Sequence, residues 1–370
     1  MAGPGEADNG ASPPRPVLPF GAGATAPDRG TAMVKIDDVA RLAGVSTATV
    51  SRALRGMPSV SQHTRQRVAS AAAELGYVAS PSASRLAGGR TGSVGLVVPR
   101  ITRWFFATVV EAAERALHAG GLDTLLYNLG GRETARANLF HTQALHKRVD
   151  AVMLVATPLS SADAAALSRL RVPGVTVSSG GPVRGWPSIR IDDVAAARTA
   201  TRHLTRLGHR RIAHISGDPA DELAFTTHVE RRQGYHEALR EEGLVPDPAL
   251  DIEAEFTVAG GELATRELLR RGTPPTAIFA ACDEMAMGAM RALREARLRV
   301  PEDVSVIGID DHDLAAALGL TTVAQPAAEQ GRLAALRLLT PTRGGQLREA
   351  DVVLLPTRLM IRESTAPPRG

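Results

Sequence analysis

Residues 36–54 read IDDVARLAGVSTATVSRAL, and their spacing predicts two short helices. Val39, Ala40 and Leu42 give the first an apolar face. Gly44 predicts its end, because glycine adopts the left-handed terminal conformation without steric cost. Ser46 predicts the cap of a second helix that turns Val50, Ala53 and Leu54 inward. Two such helices with a tight turn form a helix-turn-helix, whose second helix lays its N-terminal residues against base edges in the major groove. Thr47, Ala48, Thr49, Ser51 and Arg52 are the outward residues of that helix, and an exposed Arg52 suits a two-pronged bond to guanine. Ser61 predicts the cap of a third helix that runs to Leu75 and stops at Gly76, with Arg65 and Arg67 available to phosphates.

Charge places the same function in the same segment. The 370-residue chain has 43 basic and 39 acidic side chains, a net charge of +4. Residues 33–90 hold eight basic residues against three acidic ones, a surplus of five, whereas residues 1–32 carry −1 and residues 91–370 are neutral. The excess positive charge therefore sits on one small segment, which implies a polyanionic partner. A composition with 44% hydrophobic and 22% charged residues excludes a wholly disordered or fibrous chain. The single Cys282 excludes an intrachain disulfide framework and suits a reducing cytoplasm. No apolar run approaches the roughly 20 residues needed to span a bilayer, so no membrane partner is expected. Residues 1–32, rich in Gly, Pro and Ala, predict a disordered tail without signal-peptide pattern. Met33 is a candidate translation start.

From residue 91 onward short apolar strands alternate with amphipathic helices. Val94–Val98 precedes a helix near Thr108–Ala119, and Ala151–Val155 precedes one near Asp163–Leu170. A helix near Val194–Leu207 leads into the strand Ile212–Ile215. Then come a helix at Gly234–Glu242, the strand Ala277–Ala280, a helix at Asp283–Ala296 and the strand Val304–Ile309. This alternation predicts an α/β fold with parallel sheets, long enough for two lobes. Ligands of open α/β sheets lie beyond the carboxyl ends of the strands, here the cleft between the lobes.

The run DVARLAGVSTATVSRAL followed by VSQHTRQRVASAAAELGY resembles the DNA-binding domain of the lactose-repressor (LacI/GalR) family of transcriptional regulators. The likeness continues in family order through RTGSVGLVVP, RVDAVMLV, LGHRRIAHISG, ACDEMAMGAMRALREARLRVPEDVSVIGIDD and LPTRLMIREST, covering residues 34–365. It implies four parts: a disordered tail (1–32), a helix-turn-helix head (33–78), a hinge helix or linker (79–90), and a two-lobed, periplasmic-binding-protein-like parallel-sheet domain for effector binding and dimerisation (91–365). The implied function is that of a cytoplasmic, homodimeric, effector-modulated repressor on near-palindromic double-stranded operator DNA. In the hinge, SPSASRLAGG, the resemblance implies that Ala83 and Leu86 meet DNA, with Leu86 wedged into the minor groove. Arg55 and Ser61 join the reading surface in the head. Lys35 stands where the family often has a capping threonine, and Arg55 where it often has asparagine.

The resemblance also places effector-binding residues. Arg231 matches an arginine that grips ligand hydroxyls or carboxylates, Asp310 an acceptor carboxylate, and Phe256 an aromatic that stacks on a ring. Phe105 and Phe106 line the same cleft. Ser178 stands where many relatives place an aspartate and Cys282 where they place asparagine, while Arg103 and Trp104 replace a frequent Asn-Pro. Asp283 is expected to cap its helix first and to meet ligand second. The implied effector is a carbohydrate-like small molecule.

Enzyme readings find no support: Ser178–Gly181 is not a nucleophile elbow, no phosphate loop occurs, and His203, His209 and His214 fall on different elements. No cofactor and no metal ligation are expected. Two alternatives remain at this stage, a solute-binding protein with the same two lobes and a DNA-binding regulator controlled by a protein partner. The basic head and the lack of a signal peptide weigh against the first. With no heptad segment after Thr365, no coiled-coil tetramer is expected.

Overall fold

The computed structural model describes residues 34–77, 90–142, 144–180, 183, 185–218, 226–272, 274–340 and 351–369. The tail, Met33 and the hinge positions Ala83 and Leu86 lie outside the described residues. The chain divides into two compact units, one on each side of residue 80.

Helices α1 (Ile36–Ala43), α2 (Thr47–Leu54) and α3 (Gln62–Leu75) build the first unit. Lys35 offers α1 no side-chain acceptor, but its own N–H donates to Asp38 Oδ2 at 2.9 Å, so the reciprocal half of a capping box survives. Gly44 closes α1 at a φ of 63°, a left-handed conformation that glycine takes freely. Ser46 Oγ accepts from Thr49 N–H and Ser61 Oγ from Thr64 N–H, both at 3.2 Å, capping α2 and α3 as expected. The core is made of valines and alanines, with Val39, Val50 and Val68 fully buried. Two expectations fail: Leu42 is 47% exposed and Leu54 36% exposed. Val39, Ala40 and Ala43 form the inward stripe of α1, and Leu42 lies about 100° round the helix from its centre. Leu54 is the last residue of α2, past the Val50 and Ala53 pair that faces the core.

The second unit holds two six-stranded sheets. The first contains β1 (Ser93–Val98), β2 (Asp123–Asn128), β3 (Ala151–Val155), β4 (Gly174–Val177), β5 (Ser188–Arg190) and β11 (Val352–Leu354), in the order β11-β5-β4-β3-β1-β2. All its pairings are parallel, with Val94 facing Thr124 on one side and Ala151 on the other. The second contains β6 (Ile212–Gly217), β7 (Asp251–Ala254), β8 (Ala277–Ala280), β9 (Ser305–Asp310), β10 (Thr321–Ala324) and β12 (Arg358–Met360), in the order β12-β10-β9-β8-β6-β7. It is parallel except at its β12 edge. Helices α4 (Trp104–Ala119), α5 (Glu133–His141) and α6 (Ser161–Leu170) belong to the first lobe. Helices α7 (Asp193–Arg206), α8 (Thr227–Glu241), α9 (Val258–Arg270) and α10 (Asp283–Glu295) belong to the second.

Three crossings join the lobes: β5 into α7, β10 into α11 (Ala327–Leu339), and β11 into β12. Helix α11 returns to the first lobe, where Ala327, Ala334 and Ala335 pack with Val109 and Ala113 of α4. Gly331 lets the two helices touch, since a Cβ there would strike the Val109 carbonyl. Leu355, on the third crossing, packs against the cores of both lobes.

Two helices begin earlier than their apolar periodicity predicts. Helix α4 starts at Trp104 rather than near Thr108, and α8 at Thr227 rather than Gly234. The first turn of α4 spends its aromatic residues on the cleft, and the inward face of α8 begins with the polar His228 and Arg231, so neither start shows an apolar stripe. No helix among the described residues is long and apolar enough to cross a membrane.

Candidate functional site

On the head, α2 presents Ala48 and Arg52 to solvent one turn apart, with Thr47, Thr49 and Ser51 half-buried beside them. Among the described residues no hydrogen bond or ion pair engages the Arg52 guanidinium, so its donor fork is open. Arg55 is partly turned back, with Nε donating to Ser51 O at 3.0 Å. Ser61 spends its hydroxyl on the α3 cap and on Thr64 Oγ1, 2.9 Å away. Arg67 does not stand free for phosphate as expected, because its Nη2 donates to Ala43 O at 2.7 Å and satisfies an end carbonyl of α1.

In the second unit a cavity of about 300 Å³ lies between the lobes, beyond the carboxyl ends of the strands. That volume is at the lower end of what small-molecule sites occupy. Phe105 and Phe106 enter it from the first turn of α4, their rings edge to face at 75° with centroids 5.6 Å apart. Phe256 enters from the loop after β7. Ala156, Ser178 and Asp310 line it from the ends of β3, β4 and β9, each a non-glycine residue at positive φ: 42°, 48° and 144°. Such strain costs about 1–3 kcal/mol per residue and persists only where the surroundings enforce it.

Arg231 is 4% exposed. Its Nε donates to Asp193 Oδ1 at 2.8 Å and its Nη1 to the Ala281 carbonyl. Burial alone would lower its pKa, but the carboxylates of Asp193 and Asp310 outweigh that and hold it above the ordinary arginine range. Asp310 is buried beside a second buried carboxylate, Asp283, and both effects push its pKa up to about 8. Gln325 Nε2 donates to Asp310 Oδ1 at 2.6 Å. Burial likewise pushes the Cys282 thiol well up, so it lines the cavity as a neutral, weakly polar group.

Asp283 departs from its expected role. It is fully buried, accepts from Thr322 Oγ1 at 2.6 Å and from His312 N–H at 2.9 Å, and is not part of the cavity wall. Nor does it cap α10, whose N-cap is Cys282 without a side-chain bond. Its carboxylate instead ties the segment after β9 to β10, and burial raises its pKa to about 6. Phe105, Phe106, Ser178, Arg231, Phe256, Cys282 and Asp310 are all brought together around the cavity.

A hydrogen-bonded path crosses from one lobe to the other. Ser178 Oγ donates to Gln330 Oε1 at 2.9 Å, Gln330 Nε2 to Gln325 Oε1 at 3.1 Å, and Gln325 on to Asp310. At the cleft mouth Arg103 Nη1 lies 4.0 Å from Glu284 Oε1, and the Trp104 and His312 rings are 5.3 Å apart.

The pairing of such a head with such a cleft can be compared with known proteins. Residues 35–80 match the family model of bacterial regulatory proteins, lacI family, and residues 201–365 match the periplasmic binding protein-like domain. The chain is 35% identical to the HTH-type transcriptional repressor CytR of Escherichia coli (strain K12), over 89% of this chain and 95% of that protein. The chain belongs to the LacI family of bacterial regulatory proteins. Among solved structures, a lac repressor dimer bound to operator and the anti-inducer ONPF superposes with a TM-score of 0.77 at 30% identity, covering 90% of this chain and 99% of that one. A transcriptional regulator CelR–cellobiose complex matches with a TM-score of 0.66 at 36% identity and the same coverage. This LacI-family chain is a DNA-binding transcriptional regulator.

Sequence reasoning missed Asp193, Gln325 and Gln330. Gln325 stands directly after β10 and Asp193 opens α7 three residues past β5, both beyond the carboxyl ends of strands where sites in α/β sheets gather, and that placement was the available signal. Gln330 carries no local signal: it is a buried polar residue in an otherwise ordinary helix.

Proposed function

We propose that the protein is a cytoplasmic homodimeric repressor whose hold on a near-palindromic operator is set by a carbohydrate-like molecule bound between its lobes. The observation that carries this reading is the cavity itself. Its wall takes residues from both lobes, and the Ser178–Gln330–Gln325–Asp310 path links them through the α11 crossing. A ligand that bonds Asp310 competes with Gln325, and so acts on the element that ties the lobes together. Differential affinity for the two lobe arrangements is what shifts such an equilibrium, on the order of 10⁴-fold for a complete switch. Two heads related by a dimer axis would read the two half-sites with α2, Arg52 giving the base discrimination and Ala48 leaving room for close approach.

The test is footprinting of the full-length protein on its promoter fragments with and without a panel of mono- and disaccharides, alongside thermal melts with the same panel. The reading expects one sugar class that raises the melting temperature and changes operator occupancy. Occupancy that responds only to a second protein, with no sugar shifting the melt, replaces the effector reading with control by a protein partner.

A further inference from the structure

We infer that the effector is an amine-bearing polyhydroxylated molecule, cationic at neutral pH, and neither a neutral sugar nor a phosphorylated or carboxylated one. This rests on the carbohydrate reading above and adds the charge of the ligand to it. The first observation is the sign of the wall. Asp193, Asp218, Glu255, Glu284 and Asp310 line the cavity, against the guanidinium groups of Arg100, Arg103 and Arg231. Asp283 lies behind the wall and, with burial, keeps Asp310 protonated at neutral pH, so four carboxylates face three guanidiniums.

The second observation is how the arginines are used. A guanidinium recognises an anion by offering two parallel donors. Arg231 has turned Nε toward Asp193 and Nη1 toward the Ala281 carbonyl, and Arg103 faces Glu284. A phosphate or carboxylate entering here meets more carboxylates than guanidiniums, and two of the three arginines already face protein acceptors. Desolvation in a closing cleft sharpens that repulsion, because charges interact more strongly away from water.

The third observation is aromatic. Phe105, Phe106 and Phe256 bring three phenyl rings to the same cavity. Ring faces are electron-rich and attract ammonium groups, and rings combined with carboxylates are the chemistry that holds an organic cation. The hydroxyl and amide groups of Thr227, Thr257 and Gln325 supply partners for hydroxyls on the rest of the molecule. The raised pKa of Asp310 fits the same picture: burial and the neighbouring Asp283 outweigh the nearby Arg231 and keep its proton on at neutral pH, and a second cation bound beside it would favour the charged form.

The experiment is isothermal titration of the full-length protein with two matched sets: glucose, glucosamine and glucose 6-phosphate, then cellobiose, its diamino analogue and its aldonate. The expected result is at least tenfold tighter binding of an amine member than of its neutral partner, no binding of the acidic members, and an amine affinity that weakens as salt is added. A neutral member that binds as tightly as its amine, an acidic member that binds, or an amine affinity indifferent to salt overturns the inference while leaving the carbohydrate reading intact. Silence from every member of both sets overturns the carbohydrate reading and this inference with it.

Discussion

The head and the cleft solve recognition in opposite ways. On α2 the side chain with most to say to a ligand, Arg52, is exposed and unbonded among the described residues. In the cleft Arg231 is buried, bonded to Asp193 and the Ala281 carbonyl, and held near Asp310. DNA is large and brings its own counter-charges, so the head can leave its reader in water at no cost to folding. A small ligand cannot desolvate a site alone, and the cleft must keep its polar groups satisfied when nothing is bound. Stability and recognition should therefore separate in the head and coincide in the cleft.

The largest test of that contrast is Arg231→Ala. Removing one partner from a buried ion pair leaves the Asp193 carboxylate uncompensated and the Ala281 carbonyl without its donor, which typically costs about 3–5 kcal/mol. Chemical denaturation should show the loss in the second unit without any ligand present. A variant as stable as the wild type breaks the contrast.

Next is the pH response of Asp310→Asn. An unfolded aspartate releases its proton near pH 3.8, whereas the folded group keeps it to about pH 8. Between those limits the folded chain holds more protons than the unfolded one, so the contribution of Asp310 to wild-type stability falls as pH rises through the window. Asparagine has no proton to lose. The stability of the variant relative to wild type should climb between about pH 5 and pH 8, by on the order of a few kcal/mol. Melting temperatures that stay parallel across that range count against the assignment.

In the head, Arg52→Ala should cost about 1–3 kcal/mol of operator discrimination while leaving the melting temperature unchanged. Footprints that persist unaltered remove Arg52 from the reading surface. The smallest effect separates two roles for one residue. Ser61→Ala should cost about 1 kcal/mol of head stability through loss of the α3 cap. If Ser61 also touches DNA, operator affinity falls further than a Ser61→Asp variant, which keeps a capping acceptor, can restore.

Much of this was legible in local pattern. Gly44, Ser46, Ser61 and Gly76 mark helix ends by backbone and capping chemistry that acts within four residues, and the structure places those ends where they stand. Leu42 and Leu54 were misread because an apolar residue near the edge of a short helical stripe can fall on either side of it, and packing against the other two helices decides which. Asp283 was misread for a similar reason: its place at a helix start suggests a cap, but Gly308, where a Cβ would strike it, leaves room for its carboxylate to bond Thr322 and His312.

The sequence by itself determined the helix-turn-helix, the alternation of strands and helices, and the concentration of positive charge on residues 33–90, because each depends on neighbours in the chain. Only the tertiary structure decided that Arg231 is committed to Asp193, that Ser178 reaches Asp310 through two glutamines, and that carboxylates outnumber guanidiniums around the cavity. Arg231 and Asp193 are 38 positions apart on two packed helices of one lobe, and Ser178 and Gln330 are 152 apart; the first pairing is fixed by the packing of α7 on α8 and the second by the return of α11 to the first lobe, which no local pattern encodes.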